Sequence, residues 1–211
     1  MMKKVIAGCL LVAASGLANA SLIVTNGSFE SPLQTSGTWS IYGSIPGWIG
    51  TPNGIEVRNN VVGSAYDGHN FVELDTTNNS TMSQTLTGLT AGAQYDLQWF
   101  YSPRIGQPIT TNGISVYWNG TQLFNITQSG LPLSANNWAQ LNSLVTAVAG
   151  PNVLKFAATG ISDSLGGNID MVSVNAVPLP AAAWLFGSAV LGLGALRRKQ
   201  KAGDKSEMAL A

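Results

Sequence analysis

Short runs of alternating apolar and polar residues fill the middle of this 211-residue chain, and Gly, Asn and Pro separate them. A period of two is typical of strands, and no stretch has the spacing of a long amphipathic helix. The pattern predicts strands at 21–24, 54–58, 71–75, 81–86, 93–101, 113–118, 122–127, 139–148, 152–158 and 168–175. Many short strands without a helix predict a single all-β domain over residues 21–176, a β-sandwich.

Two local patterns refine this prediction. Asn119-Gly120 separates two of the predicted strands and supplies the two positive-φ positions of a type I′ hairpin turn, which would pair those strands. In the strand at 93–101, alternate residues share one face, and we expect this face to belong mostly to the core. Its members are Tyr95, Leu97, Trp99 and Tyr101.

The N-terminus has the order of a secretory signal peptide. Lys3 and Lys4 precede an apolar run over 5–17, and Ala18-Asn19-Ala20 follows as a small-residue cleavage site. An uncleaved anchor is the alternative, but the run is shorter than the roughly 20 residues that a spanning helix needs. We expect residues 1–20 to be removed. The only cysteine, Cys9, leaves with them, so the exported part has no thiol chemistry.

The C-terminus predicts a membrane anchor. Residues 177–196 are almost wholly apolar and uncharged, and Arg197, Arg198 and Lys199 follow directly. A buried helix would alternate its faces, whereas this run is apolar on all sides. The basic residues mark the cytoplasmic end, so the sequence predicts one transmembrane helix in the inner membrane. Residues 21–176 would then lie outside and 200–211 would form a short cytoplasmic tail.

This end also carries a motif, Val177-Pro178-Leu179-Pro180, followed by the apolar run and by Arg197 and Arg198. It resembles the PEP-CTERM sorting signal, here spanning 177–199, of exopolysaccharide-producing Gram-negative bacteria. The resemblance implies an exosortase-type processing enzyme as a partner, and release into the envelope or the extracellular space after cleavage. Leu179 replaces the acidic residue of the usual motif, and the tail is longer than is usual.

The charge of residues 21–176 excludes one class of partner. Three basic residues stand against eight acidic ones, a net charge of −5. Binding to nucleic acid depends on neutralising phosphates with Lys and Arg. We therefore expect no nucleic-acid partner.

Four motifs of the exported domain together resemble the galactose-binding-domain-like jelly roll, on which many carbohydrate-binding modules are built. They are 26–30 (Asn-Gly-Ser-Phe-Glu), 45–48 (Ile-Pro-Gly-Trp), 67–75 and 169–174. The resemblance implies one structural calcium ion between the first and last strands, bound by Glu30 and Asp170. Backbone carbonyl oxygens would have to complete the six to eight oxygen ligands of calcium. Two solvated acids near strand ends are the alternative.

Aromatic rings and a few polar groups are the usual contacts for sugars, because sugar rings stack their C–H faces on aromatic side chains. Trp48, Tyr101 and Arg104 are the candidate ligand contacts, with Arg104 one of three cations of the domain. Glu73 and Asp75 are two apart on a strand, a spacing that could suit a glycosidase pair. An exposed sheet face, with Glu73 as a sugar contact, is the favoured interpretation.

The sequence thus predicts no catalytic residue and no enzyme. The single histidine, His69, lies in a turn-like segment, and there is no Gly-x-Ser-x-Gly motif. We expect an exported, membrane-tethered envelope or matrix protein that associates with exopolysaccharide. A structural or adhesive surface protein without sugar binding is the first alternative, and a glycoside hydrolase the second.

Overall fold

The computed structural model describes residues 23–177, which form two six-stranded sheets. The twelve strands are β1 (Thr38–Tyr42), β2 (Ser44–Ile45), β3 (Trp48–Thr51), β4 (Ile55–Asn59), β5 (Phe71–Glu73), β6 (Thr81–Leu86), β7 (Gln94–Ser102), β8 (Ile114–Trp118), β9 (Thr121–Ile126), β10 (Ala139–Thr146), β11 (Asn152–Ala158) and β12 (Asn168–Ala176). The predicted signal peptide, Pro178, Leu179, Pro180, the anchor with Arg197 and Arg198, and the tail lie outside the described residues. Within 23–177, no helix has the length and apolar character needed to cross a membrane.

The connectivity is that of a jelly roll. The strand order is β1-β4-β5-β12-β7-β10 in sheet A and β2-β3-β6-β11-β8-β9 in sheet B, with antiparallel neighbours throughout. The eight strands from β5 to β12 divide evenly between the two sheets. Their order is β5-β12-β7-β10 in sheet A and β6-β11-β8-β9 in sheet B. This arrangement is the double Greek key of jelly rolls. The predicted all-β jelly-roll sandwich is confirmed.

Nine of the ten predicted strands occur, with small shifts of their ends. The exception is 21–24, because Ile23 and Val24 lie in a bend. Three strands, β1 to β3, escaped prediction. They are short, Gly43 and Pro46-Gly47 separate them, and Trp39 and Ile41 of β1 expose 51% and 36% of their surface. The usual alternation of buried apolar and exposed polar residues is therefore missing there.

Aromatic residues of both sheets fill the core. Trp48 packs against Phe29 and Phe156, at 5.7 and 6.1 Å between ring centroids. Trp99 of sheet A meets Phe156 of sheet B edge-on at 6.0 Å, which joins the two layers. Edge-to-face pairs of this kind add about 0.5–1.5 kcal/mol to the burial of the rings themselves. The predicted core face of β7 is confirmed, because Tyr95, Leu97, Trp99 and Tyr101 are all buried.

The predicted hairpin is also present. β8 and β9 pair across Asn119 and Gly120, whose φ angles of 50° and 83° suit a type I′ turn. The Asn119 side chain accepts a hydrogen bond from the Val153 N–H at 2.7 Å and donates to Asn152 Oδ1 at 2.8 Å. The turn is therefore fixed to the start of β11.

Candidate functional site

Four charged side chains lie together on the outer face of sheet A. Glu56 and Arg58 alternate with the core residues of β4, and Glu73 is paired with Glu56 across the sheet. Arg58 contacts Glu56 at 2.5 Å and Glu73 at 2.8 Å, and Arg104 contacts Glu73 at 2.5 Å. We call Glu56, Arg58, Glu73 and Arg104 the ionic cluster. It combines two basic and two acidic side chains.

The ionic cluster is shielded from water. Glu73 is completely buried, and its second carboxylate oxygen accepts a hydrogen bond from the Gly166 N–H at 2.6 Å. Burial raises the pKa of Glu73 to about 8, although Arg58 and Arg104 act in the opposite direction. Burial also lowers the pKa of Arg104, which Glu73 partly offsets. The cluster therefore orders the end of sheet A and has no open face toward a ligand.

The prediction of an exposed face at Glu73 and Asp75 is wrong. Asp75 is also completely buried, and its carboxylate accepts hydrogen bonds from the backbone N–H groups of Asp163 and Leu165, at 2.9 and 3.3 Å. Both acids therefore hold the loop between β11 and β12. Because this loop covers them, Glu73 has no surface for the sugar contact predicted from the sequence.

Burial corrects the other predicted ligand contacts as well. Trp48 and Tyr101 expose 1% and 0% of their surface, so neither ring is available for stacking. The Tyr101 hydroxyl donates to the Asn112 carbonyl oxygen at 2.8 Å and accepts from the Gln128 N–H at 3.2 Å. Burial raises the pKa of Tyr101 to about 12. Arg104 is brought next to Glu73, but its guanidinium serves the ionic cluster.

The two predicted calcium ligands converge on one loop. Glu30 Oε1 accepts hydrogen bonds from the N–H groups of His69 and Asn70 at 2.8 and 2.7 Å. Asp170 Oδ2 accepts from the N–H groups of Tyr66 and Asp67 at 2.7 and 3.0 Å. The loop 66–70 is thus held between the N-terminal segment and the last strand. His69 is exposed in it, as expected of a turn residue.

A β-bulge directs Asp170 toward this loop. The register of β12 against β7 shifts between Asp170 and Ser173, and Met171 has a φ of 44°. Asp170 is completely buried, and burial raises its pKa to about 7 against three backbone hydrogen bonds. Hard carboxylate oxygens are the chemistry that calcium prefers. Within residues 23–177, however, no group of three His, Cys, Asp or Glu side chains could hold a metal ion.

An open groove lies further along the outer face of sheet A, over β10, β7 and β12. Its volume is about 490 Å³. The register places Asn175, Asp96 and Leu144 in one row across the three strands, and Gln98 next to Asn142 in the neighbouring row. We call this the outer-face groove; the residues that line it are Asp96, Gln98, Asn142, Leu144, Asn175, Ala176 and Val177.

The polar groups of the outer-face groove are partly ordered by one another. Gln98 donates to Asp96 Oδ2 at 2.5 Å and accepts from the Gln140 amide at 3.2 Å. Asp96 Oδ1 is buried and has no hydrogen-bond partner among the described residues. These residues were not among those predicted from the sequence. The available signal was the set of polar residues on the face of β7 opposite its aromatic residues. The pairing of β7 with β10 and β12, however, is not visible in the sequence.

Comparison with known proteins gives partial similarities. No family model matches the chain. It is 34% identical over 154 residues to the multifunctional-autoprocessing repeats-in-toxin protein of Vibrio vulnificus and 32% identical over 150 residues to that of Vibrio cholerae. Each match covers 71% of this chain but only 3% of the toxin. The chain therefore spans a small part of these curated relatives.

Several solved structures are similar in fold. A CBM35 module from Paenibacillus barcinonensis is 21% identical with a TM-score of 0.42, over 67% of this chain and 100% of the module. A CBM61 module in complex with beta-1,4-galactotriose is 16% identical with a TM-score of 0.45, over 75% of this chain and 100% of the module.

Proposed function

We propose that this chain is a non-catalytic carbohydrate-binding protein that is exported and acts in the cell envelope or the extracellular matrix. The outer-face groove is the observation that carries the proposal, because side-chain amides, a carboxylate and aliphatic side chains meet in it. Sugars are bound by such a combination of a few polar groups around an apolar contact. The host's own exopolysaccharide is the expected ligand.

A direct test is binding of the full chain, purified in detergent, to exopolysaccharide from the producing bacterium. Isothermal titration calorimetry should give saturable heat. Asn142→Ala and Gln98→Ala should each reduce the affinity, because they remove amides from the groove. Gln122→Ala is the control, since Gln122 is an exposed amide on β9 of the other sheet. No heat with any preparation would overturn the proposal and favour a structural or adhesive surface protein.

We propose further that residues 177–199 act as an exosortase-processed sorting signal that first anchors the protein in the inner membrane. The support is the motif at Val177-Pro178-Leu179-Pro180 with the apolar run and the basic residues behind it. Mass spectrometry of the protein from the producing cell should find a C-terminus near this motif. Replacing both Pro178 and Pro180 by Ala should leave the full-length form in the membrane. Full-length protein in the unmodified strain would contradict this processing.

One calcium ion is proposed as a structural cofactor. Glu30 and Asp170 would hold it, and the ion would neutralise two acids that face the same loop. Its role would be to join the first and last parts of the chain and take no part in binding sugar.

A further inference from the structure

We propose that the outer-face groove selects neutral polysaccharides and rejects anionic ones. This inference rests on the proposed function and adds to it the chemical class of the ligand. It is independent of the residues that the sequence suggested for sugar contact, since those are buried.

The charges around the groove disfavour anionic ligands. The described residues contain three cations, and none lines the groove. Arg58 and Arg104 are bound in the ionic cluster, and Lys155 lies on β11 of sheet B, 4.2 Å above the Tyr117 ring. The only charged side chain among the lining residues is Asp96. A carboxylate or sulfate on a sugar would therefore meet a negative charge and no compensating cation.

The hydrogen-bonding groups of the groove suit hydroxyl groups. Asp96 lines the groove, and its Oδ2 accepts a hydrogen bond from Gln98. A sugar hydroxyl in the groove can donate to a carboxylate such as that of Asp96, whereas a carboxylate or sulfate on the sugar has no proton to donate. The amides of Asn175, in the same row as Asp96, and of Asn142, in the neighbouring row, can both donate and accept. The groove thus matches uncharged hydroxyl groups.

The dimensions of the groove suit a segment of a polysaccharide chain. The two rows of side chains lie about 7 Å apart along the strands, and each row crosses three strands, about 10 Å in all. Leu144 exposes 59% of its surface at one end of its row and offers an apolar contact for the C–H face of a sugar ring. The site is open along its length, so it suits an internal segment of a chain and does not require a chain end.

The experiment compares neutral with anionic polysaccharides on the same protein. Affinity electrophoresis of the full chain in a mild non-ionic detergent would use gels with dextran, β-1,3-glucan and galactan, and gels with polygalacturonate and alginate. We expect retardation by at least one neutral polymer and none by the anionic ones. Asp96→Asn should keep the neutral binding within about threefold, and Asp96→Ala should weaken it at least tenfold. Asp96→Lys should gain retardation by the anionic polymers.

The outcomes separate the inference from the proposed function. Retardation by the anionic polymers only, unchanged in Asp96→Lys, would overturn neutral selection while leaving carbohydrate binding intact. Neutral binding that Asp96→Ala and Asn142→Ala both leave unchanged would overturn the groove as the site. No retardation in any gel, together with no heat from the host exopolysaccharide, would overturn both. Gln122→Ala serves as the exposed control, and circular dichroism checks that each variant is folded.

Discussion

Arg58 is the side chain whose removal should damage the fold most directly. It contacts both Glu56 and Glu73 and exposes only 3% of its surface. Arg58→Ala would remove the only partner of Glu56 in the cluster and one of the two guanidinium partners of Glu73. Breaking such buried pairs costs about 3–5 kcal/mol. We expect a loss of this size in the free energy of unfolding from urea denaturation. Lys155→Ala removes the same charge from sheet B and should change it by less than about 0.5 kcal/mol. Equal losses would contradict this account.

Glu73 should make stability depend on pH. Its pKa is raised from 4.5 to about 8 in the folded state. Between these values the folded protein keeps a proton that the unfolded chain has lost, so the free energy of unfolding decreases as pH rises. Glu73→Gln removes this titration and should make the decrease between about pH 5 and pH 8 shallower, while the raised pKa of Asp170 still contributes to it below about pH 7. Urea denaturation at several pH values measures both, and a wild-type curve that rises over this window would contradict the prediction.

The sequence identified Glu73 and Arg104 as notable but could not show what they do. They are 31 residues apart, and the structure brings them to 2.5 Å. The cover over Glu73 comes from Gly166, 93 residues further along the chain. A period of two predicts which residues share a face, but it does not predict which loop will close over that face. The sequence pattern therefore could not predict that Glu73 and Arg104 are buried together.

At the scale of elements, the β8–β9 turn offers a clean test of backbone conformation. A Cβ added to Gly120 would meet no atom within 4 Å, so Gly120→Ala tests only the φ of 83°. The left-handed region should make this substitution cost about 1 kcal/mol. Gly43→Ala is the matched control, since it also has open space but no positive φ, and it should be neutral or slightly stabilising. Thermal unfolding of both variants measures the difference. Equal effects would contradict the assignment of this turn.

Strands were predicted where the signal lies in neighbouring residues of the sequence, and features without such a local signal were missed. β7 and β8 were predicted because their alternation and the Asn119-Gly120 turn are local signals. β1 was missed because its outward residues, Trp39 and Ile41, are apolar. The outer-face groove was missed for another reason. Its side chains belong to three strands that are neighbours in the sheet but separated in sequence, so only the strand order brings them together.

At the scale of the whole molecule, the loop 66–70 connects the beginning of the described chain with its end. Glu30 lies 40 residues before Asn70, and Asp170 lies 104 residues after Tyr66, yet both carboxylates bind this loop. Asn70 adds hydrogen bonds to the carbonyl oxygens of Phe29 and Pro32 at 2.8 and 3.0 Å. A ligand that stabilised this junction would oppose separation of the N-terminal segment from β12, and with it the opening of sheet A.

Calcium is proposed to be that ligand, and its effect should appear in the melting temperature. At a calcium concentration of 100 times Kd, binding to the folded state contributes about 2.7 kcal/mol, which for a chain of this size raises Tm by roughly 5–10 °C relative to chelator. Asp170→Asn and Glu30→Gln should each remove most of this difference while remaining folded in chelator. Differential scanning calorimetry gives the shift, and titration of calcium into the metal-free chain gives an independent Kd. Identical melting in calcium and in chelator, or an undiminished shift in both variants, would show that the two carboxylates hold the loop through backbone hydrogen bonds alone.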